Sequence, residues 1–171
     1  ETIARYPALG RLPVLVDECD PAVGTIYGVY DNPNFVVTNN EHYPTFVCAL
    51  VRRALDLNRH YPNPLDRITA WAFYFEGKRF FEGNRALVTS ENIEKPVLNA
   101  FRMLAMMGHE RLAVASSHSR DVLAADAPEV EVDALAALSG NRVTVLVWHQ
   151  ADPWWLQGQA DVALHLDHLP F

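Results

Sequence analysis

Residues Leu12 to Gly24 read LPVLVDECDPAVG. Val14-Leu15-Val16 is the short apolar run of a strand buried on both faces, the kind that parallel sheets use. It runs straight into Asp17, Glu18 and Asp20. A strand end is rigid, so carboxylates set there are held close, and their repulsion has to be used or neutralised. By alternation Asp17 shares a face with Leu15, and Glu18 shares the other with Val14 and Val16. Alternation does not say which face is interior. Asp20, before Pro21, reads as a turn former. Glu18 keeps two readings here: a site carboxylate, or one that caps a helix or closes an ion pair.

Outward from this stretch, a long polar loop follows, DPAVGTIYGVYDNPNFVVTNNEH, and long loops in compact domains often carry function. Phe46, Val47, Leu50, Val51, Ala54 and Leu55 then fall on one helical stripe, with Arg52, Arg53 and Asp56 on the wet side. The helix is expected near residues 43–58. RITAWAFYFE is apolar nearly to its end and predicts a second strand over 68–75. A second long loop, GKRFFEGNRALVTSENIE, leads to Pro96, which opens a helix over 96–107 with Gly108 as its stop. Strand, loop, helix, strand, loop, helix is a βαβα pattern. It implies parallel strands with right-handed crossovers, with Glu18 and Glu76 at the carboxyl ends where such folds build sites.

After Gly108 the pattern changes. ERLAVASS, VEVDALAALSG, NRVTVLVWHQ and GQADVALHLDHL alternate and are separated by turn signals at Ser139-Gly140-Asn141 and Gln157-Gly158. They predict antiparallel strands with one wet face, in a separate layer. Two parallel strands leave open edges and half-covered faces. The segment ETIARYPALG has neither an initiator methionine nor a signal-peptide pattern, and it reads as a helix tail entering a loop. The chain is therefore expected to be part of something larger, exposing wide apolar areas by itself.

Composition limits the partners. The net charge is −7 and no Lys/Arg-rich run offsets it, which argues against nucleic acid. No apolar run approaches the roughly 18 residues of a membrane span. Cys19 and Cys48 lack metal-ligand spacing and read as reduced, buried thiols. Localisation stays open.

LPVLVDECDPAVG, ITAWAFYFEGKRFFEGNRALVT, IEKPVLNAFRMLAMMGHERLAV and NRVTVLVWHQAD, in this order and spacing, resemble the C-terminal half of family 39 glycoside hydrolases, the β-xylosidase and α-L-iduronidase group. The resemblance covers nearly the whole chain. It implies the last part of a (β/α)8 TIM barrel, strands 7 and 8 with their helices, followed by part of an antiparallel β-sandwich. Residues 1–109 would belong to the catalytic barrel and 110–171 to the accessory sandwich. It implies a retaining glycosidase acting on an oligosaccharide or glycoside, without cofactor or metal, with Glu18 as nucleophile. Glu76 would hydrogen-bond the attacked sugar and Trp71 would wall it, with Phe81 and Arg85 as further substrate contacts. The wording of WAFYFEG and KPVLNAFRML is closer to the β-xylosidase-like members.

The chemistry agrees with a carboxylate on a rigid element. A retaining enzyme needs two carboxyls roughly 5–5.5 Å apart, one to attack and one to protonate the leaving oxygen. The family's acid/base motif, Asn-Glu-Pro, is absent; in TNNEHYP, His42 and Tyr43 intervene between Glu41 and Pro44. The chain would thus carry half of a catalytic pair, the N-terminal part of the same barrel supplying the rest, and oligomers are possible. His42 and Tyr43 open a helix and read as capping or surface residues. Two rivals remain. In one, Trp148, Trp154 and Trp155 form a sugar-stacking platform of a non-catalytic binding module, although packing of that loop is the reading preferred. In the other, Asp17, Glu18 and Asp20 hold a metal with histidines, although His165 and His168, the closest pair, lack the spacing.

Overall fold

Val14–Val16 (β1) and Leu65–Ile68 (β2) pair in parallel, with an irregularity between Val14 and Leu15. The structure, a computed structural model, describes residues 5–10, 12–22, 26–124, 128–156 and 158–169. Between β1 and β2 come a 3₁₀ helix, Pro33–Thr38, and the long helix α1, His42–His60. Arg59 places positive charge in the last turn of α1, where the helix dipole favours it. Helix α2, Pro96–Ala105, opens with Pro96 in its first turn. The remaining strands, β3 (Glu110–Leu112), β4 (Val130–Ser139) and β5 (Arg142–Ala151), form an antiparallel sheet in that order. Gly140, at φ +59°, turns β4 into β5.

One core serves both parts of the chain. Tyr43, Val47, Cys48 and Ala49 of α1 pack with Val97 and Ala100 of α2 and with Leu135 and Trp148 of the antiparallel sheet. Helix α1 therefore lies between α2 and β4–β5, with apolar residues facing both ways.

This changes the reading of its polar side. Arg52, Arg53 and Asp56 do not face water. Arg53 pairs with Glu131 at 2.8 Å, Arg52 lies 3.6 Å from Asp133, and Asp56 binds Arg111 at 2.8 Å. Glu131 and Asp133 are buried on β4, and Glu131 also accepts from the Trp148 indole at 3.1 Å. The alternating acids of VEVD are thus the complement of α1, not a wet face. Burying them is tolerable because each has a cation. Burial is the larger influence on Asp133 and raises its carboxyl above the usual range, with Arg52 opposing.

Two expected strands are corrected. The second parallel strand ends at Ile68, not at residue 75. Thr69 still exchanges backbone bonds with Val16 and Cys19, but the Ala72 and Phe73 carbonyls accept from Leu87 and Val88 instead of extending the ladder. The Trp71–Ala72 peptide is cis. Residues 158–169 form no strand either. Val162, Leu164 and Leu166 are exposed, and the segment pairs with no described strand, although β5 leaves an open edge.

The surface is large for the mass. The chain exposes 11302 Å², against about 8,400 Å² expected for a monomeric protein of this size. Part of the surplus is the extended 158–169 segment; part is Leu12, Leu15 and the aromatic residues of the loops after β1 and β2. Among the described residues no helix is long and apolar enough to cross a membrane.

Candidate active site

The carboxyl end of β1 meets the loop after β2 through one arginine. Arg85 is buried, and its guanidinium forks: one arm donates to Asp20 at 3.0 Å and the other to Glu18 Oε2 at 2.7 Å. The two carboxylates differ in kind. Asp20 has a side chain 1% exposed, whereas that of Glu18 is 53% exposed. Asp20 also accepts from the Tyr43 hydroxyl and faces the Trp71 backbone amide. Burial raises the Asp20 carboxyl above its ordinary range, while the Tyr43 bond and the Arg85 charge pull it back. Burial likewise pushes the Tyr43 phenol upward, with its bond to Asp20 adding to the effect, so it stays a neutral donor.

The division of labour follows. Asp20 and Tyr43 plant Arg85, and Arg85 in turn fixes Glu18 at the surface. Glu18 is bonded through Oε2, and Oε1 has no partner among the described residues. Arg85 also lies over the Trp71 ring, 5.1 Å from its centroid, and Trp71 is partly exposed. Exposed Glu18 and Trp71 thus meet over the buried Arg85 at the end of the parallel strands.

The arginine is held by an unusual strap. Three successive carbonyls are each taken by a side chain distant in sequence: Gly83 by the Thr38 hydroxyl at 2.7 Å, Asn84 by the Lys95 ammonium at 2.5 Å, and Arg85 by the Tyr43 hydroxyl at 3.3 Å. The Asn84 side chain accepts from the Ala86 amide at 3.0 Å. Gly28 allows the preceding loop to close on this strap, since a Cβ there would meet the Glu82 carbonyl oxygen at 2.2 Å.

The other expected contacts stand apart. Glu76 is exposed on a turn beside Gly77, with no hydrogen bond or ion pair to this constellation among the described residues. Phe81 is exposed at φ +45°, and its carbonyl accepts from Asn39 at 2.7 Å. Two readings are corrected: Tyr43 is fully buried in the core rather than a surface residue, and Asp20 is the buried anchor of Arg85 rather than only a turn former. The signal that could have found Asp20 was its place two residues beyond Glu18, on the same side of an extended chain.

The tryptophan platform also changes. Trp148 is buried, but Trp155 is 66% exposed and set edge-on to Trp154 at 5.8 Å, so that loop does not bury both rings. Among the described residues no group of three His, Cys, Asp or Glu side chains is placed to hold a metal. Compared with protein-family models, curated proteins and solved structures, the chain matches none.

Proposed function

We propose that this chain carries the nucleophile side of a retaining glycosidase active site, as its resemblance to family 39 glycoside hydrolases implies. The observation that carries the reading is the paired state of Glu18: exposed, at a strand end, fixed by one arm of a buried arginine, with a free oxygen beside an aromatic ring. Oε1 attacks the anomeric carbon, forming a glycosyl ester as the leaving oxygen takes a proton. Water then attacks the same carbon, breaks the ester and returns Glu18 as carboxylate. Trp71 offers a ring to the C–H face of the sugar. The proton donor comes from outside this constellation, because Asp20 is buried and occupied. Further strands would flank β1 and β2 as the rest of a (β/α)8 barrel, and a further sheet would cover β4–β5. The open sheet edges and the surplus surface support that completion.

A β-xylosidase-like substrate is favoured over an α-L-iduronide. A sugar carboxylate needs a free cation, and two of the three in this loop are engaged: Lys78 lies 3.6 Å from Glu82 and Arg85 serves two carboxylates, while Arg79 lies over Tyr30 with no acidic partner among the described residues. A binding module without turnover has one observation in its favour, the exposed Trp155. The intact protein given an aryl β-xyloside decides between them. NMR of the first-formed sugar should show the β-anomer, retention of configuration; the α-anomer, or binding without hydrolysis, would overturn the reading.

A further inference from the structure

Lys95 sits where a lysine is expensive. It is 2% exposed, it is the N-cap of α2 at the positive end of the helix dipole, and no carboxylate pairs with it among the described residues. Its ammonium has one protein acceptor there, the Asn84 carbonyl, and its backbone amide donates to Leu87 at 3.0 Å. Both bonds grip the segment that presents Arg85. Lys78, Arg79 and Glu82 line the same small cavity of ≈ 10 Å³, with Asn39, Thr89 and Ser90. Lys78 is near Glu82, the Arg79 guanidinium lies over Tyr30, and the neighbouring Glu94 turns outward to Arg102. The cavity has room for about one water and no ligand.

We infer that Lys95 is a positioning residue of the site: by holding the Asn84 carbonyl it sets where Arg85 places its guanidinium over Trp71 and against Glu18. A methionine would fill the space as well and cost less to bury, so packing alone does not call for the ammonium. Burial lowers this lysine to about 7. The strap therefore carries its charge-assisted bond below neutrality and loses that charge above it. The consequence for turnover rests on the glycosidase reading; the placement of Arg85 does not.

The test uses the intact protein at two readouts. The emission of Trp71, isolated by subtracting the Trp71→Phe variant, should titrate with a midpoint near 7, and Lys95→Met should abolish that transition. Labelling of Glu18 by a 2-fluoro-xyloside should slow about tenfold or more in Lys95→Met, a displaced reacting group being worth that much, and should lose the corresponding limb of its pH profile. If Lys95→Met does not fold, NMR of the wild type replaces it: Arg85 side-chain signals and Lys95 Nζ should share one midpoint. A Trp71 signal flat from pH 6 to 8, a transition that survives in Lys95→Met, or separate midpoints would overturn the inference. Absence of any label on Glu18 beside an intact Trp71 titration would reject the glycosidase and leave the role of Lys95 standing.

Discussion

If Glu18 is the nucleophile proposed above, Glu18→Gln is expected to lower kcat of the intact protein by about 10⁴-fold or more, the scale of losing a nucleophile, with substrate affinity within a few fold of wild type. Glutamine keeps the shape of the side chain, and its carbonyl oxygen still accepts from Arg85. The proposed sugar contact through Trp71 is left in place. What is lost is the charge that attacks the anomeric carbon. The same variant separates the two readings of Glu18. If the carboxylate only closes an ion pair with Arg85, Glu18→Gln costs a fraction of the stability, as a half-exposed pair would, and turnover survives. Steady-state kinetics and a thermal melt on one preparation distinguish the cases.

Arg85→Ala is expected to have the largest effect on stability, about 3–5 kcal/mol, because it strands a carboxylate that is 1% exposed without its cation. Tyr43 and the Trp71 amide still bond Asp20 but carry no charge to match it. The deficit has a pH signature. Without Arg85 the buried Asp20 is raised further, so the folded state holds a proton that the unfolded chain releases. Stability is then relatively preserved at acid pH, where Asp20 is neutral, and falls as the pH rises through the range in which it ionises. Urea unfolding at several pH values measures this. Arg85→Lys should recover only part of the loss, since one ammonium cannot serve two carboxylates held by a fork. A variant as stable as wild type at neutral pH would show that Asp20 is not anchored in this way.

Local patterns in the sequence locate most elements. The stripe through Val47 and Ala54, Pro96 as a helix start, and Ser139-Gly140-Asn141 as a hairpin turn each express a short-range preference, and short-range preferences are what a sequence displays. The places where the reading slipped all depend on which distant group takes a hydrogen bond. Residues 71–75 look like strand because they are apolar, yet Leu87 and Val88 claim the Ala72 and Phe73 carbonyls. Residues 158–169 alternate like a strand, and alternation says nothing about whether a strand edge takes them up. Arg52 and Arg53 look solvated until Glu131 and Asp133 are seen beneath them.

The site divides along the same line. Glu18 is marked by its position at the end of an apolar run, and Trp71 and Arg85 by the resemblance. The roles of Asp20, Tyr43 and Lys95 come from burial and from contacts 23 residues apart for Asp20–Tyr43 and 11 for Asn84–Lys95. No local pattern encodes those distances. The buried arginine also accounts for three carboxylates at one strand end: Asp20 is neutralised below the surface, Asp17 is exposed, and Glu18 is held at the surface by the other arm of Arg85.

The most direct measurement is covalent trapping. A 2-fluoro-β-xyloside with a good leaving group slows the second displacement more than the first, so the glycosyl ester accumulates and survives digestion for peptide mass spectrometry. The account predicts a single label, in the peptide spanning LPVLVDECDPAVG, with fragmentation placing it on Glu18. A label on Asp17, Asp20, Glu76 or any residue other than Glu18, or full inactivation with no label at all, would contradict it.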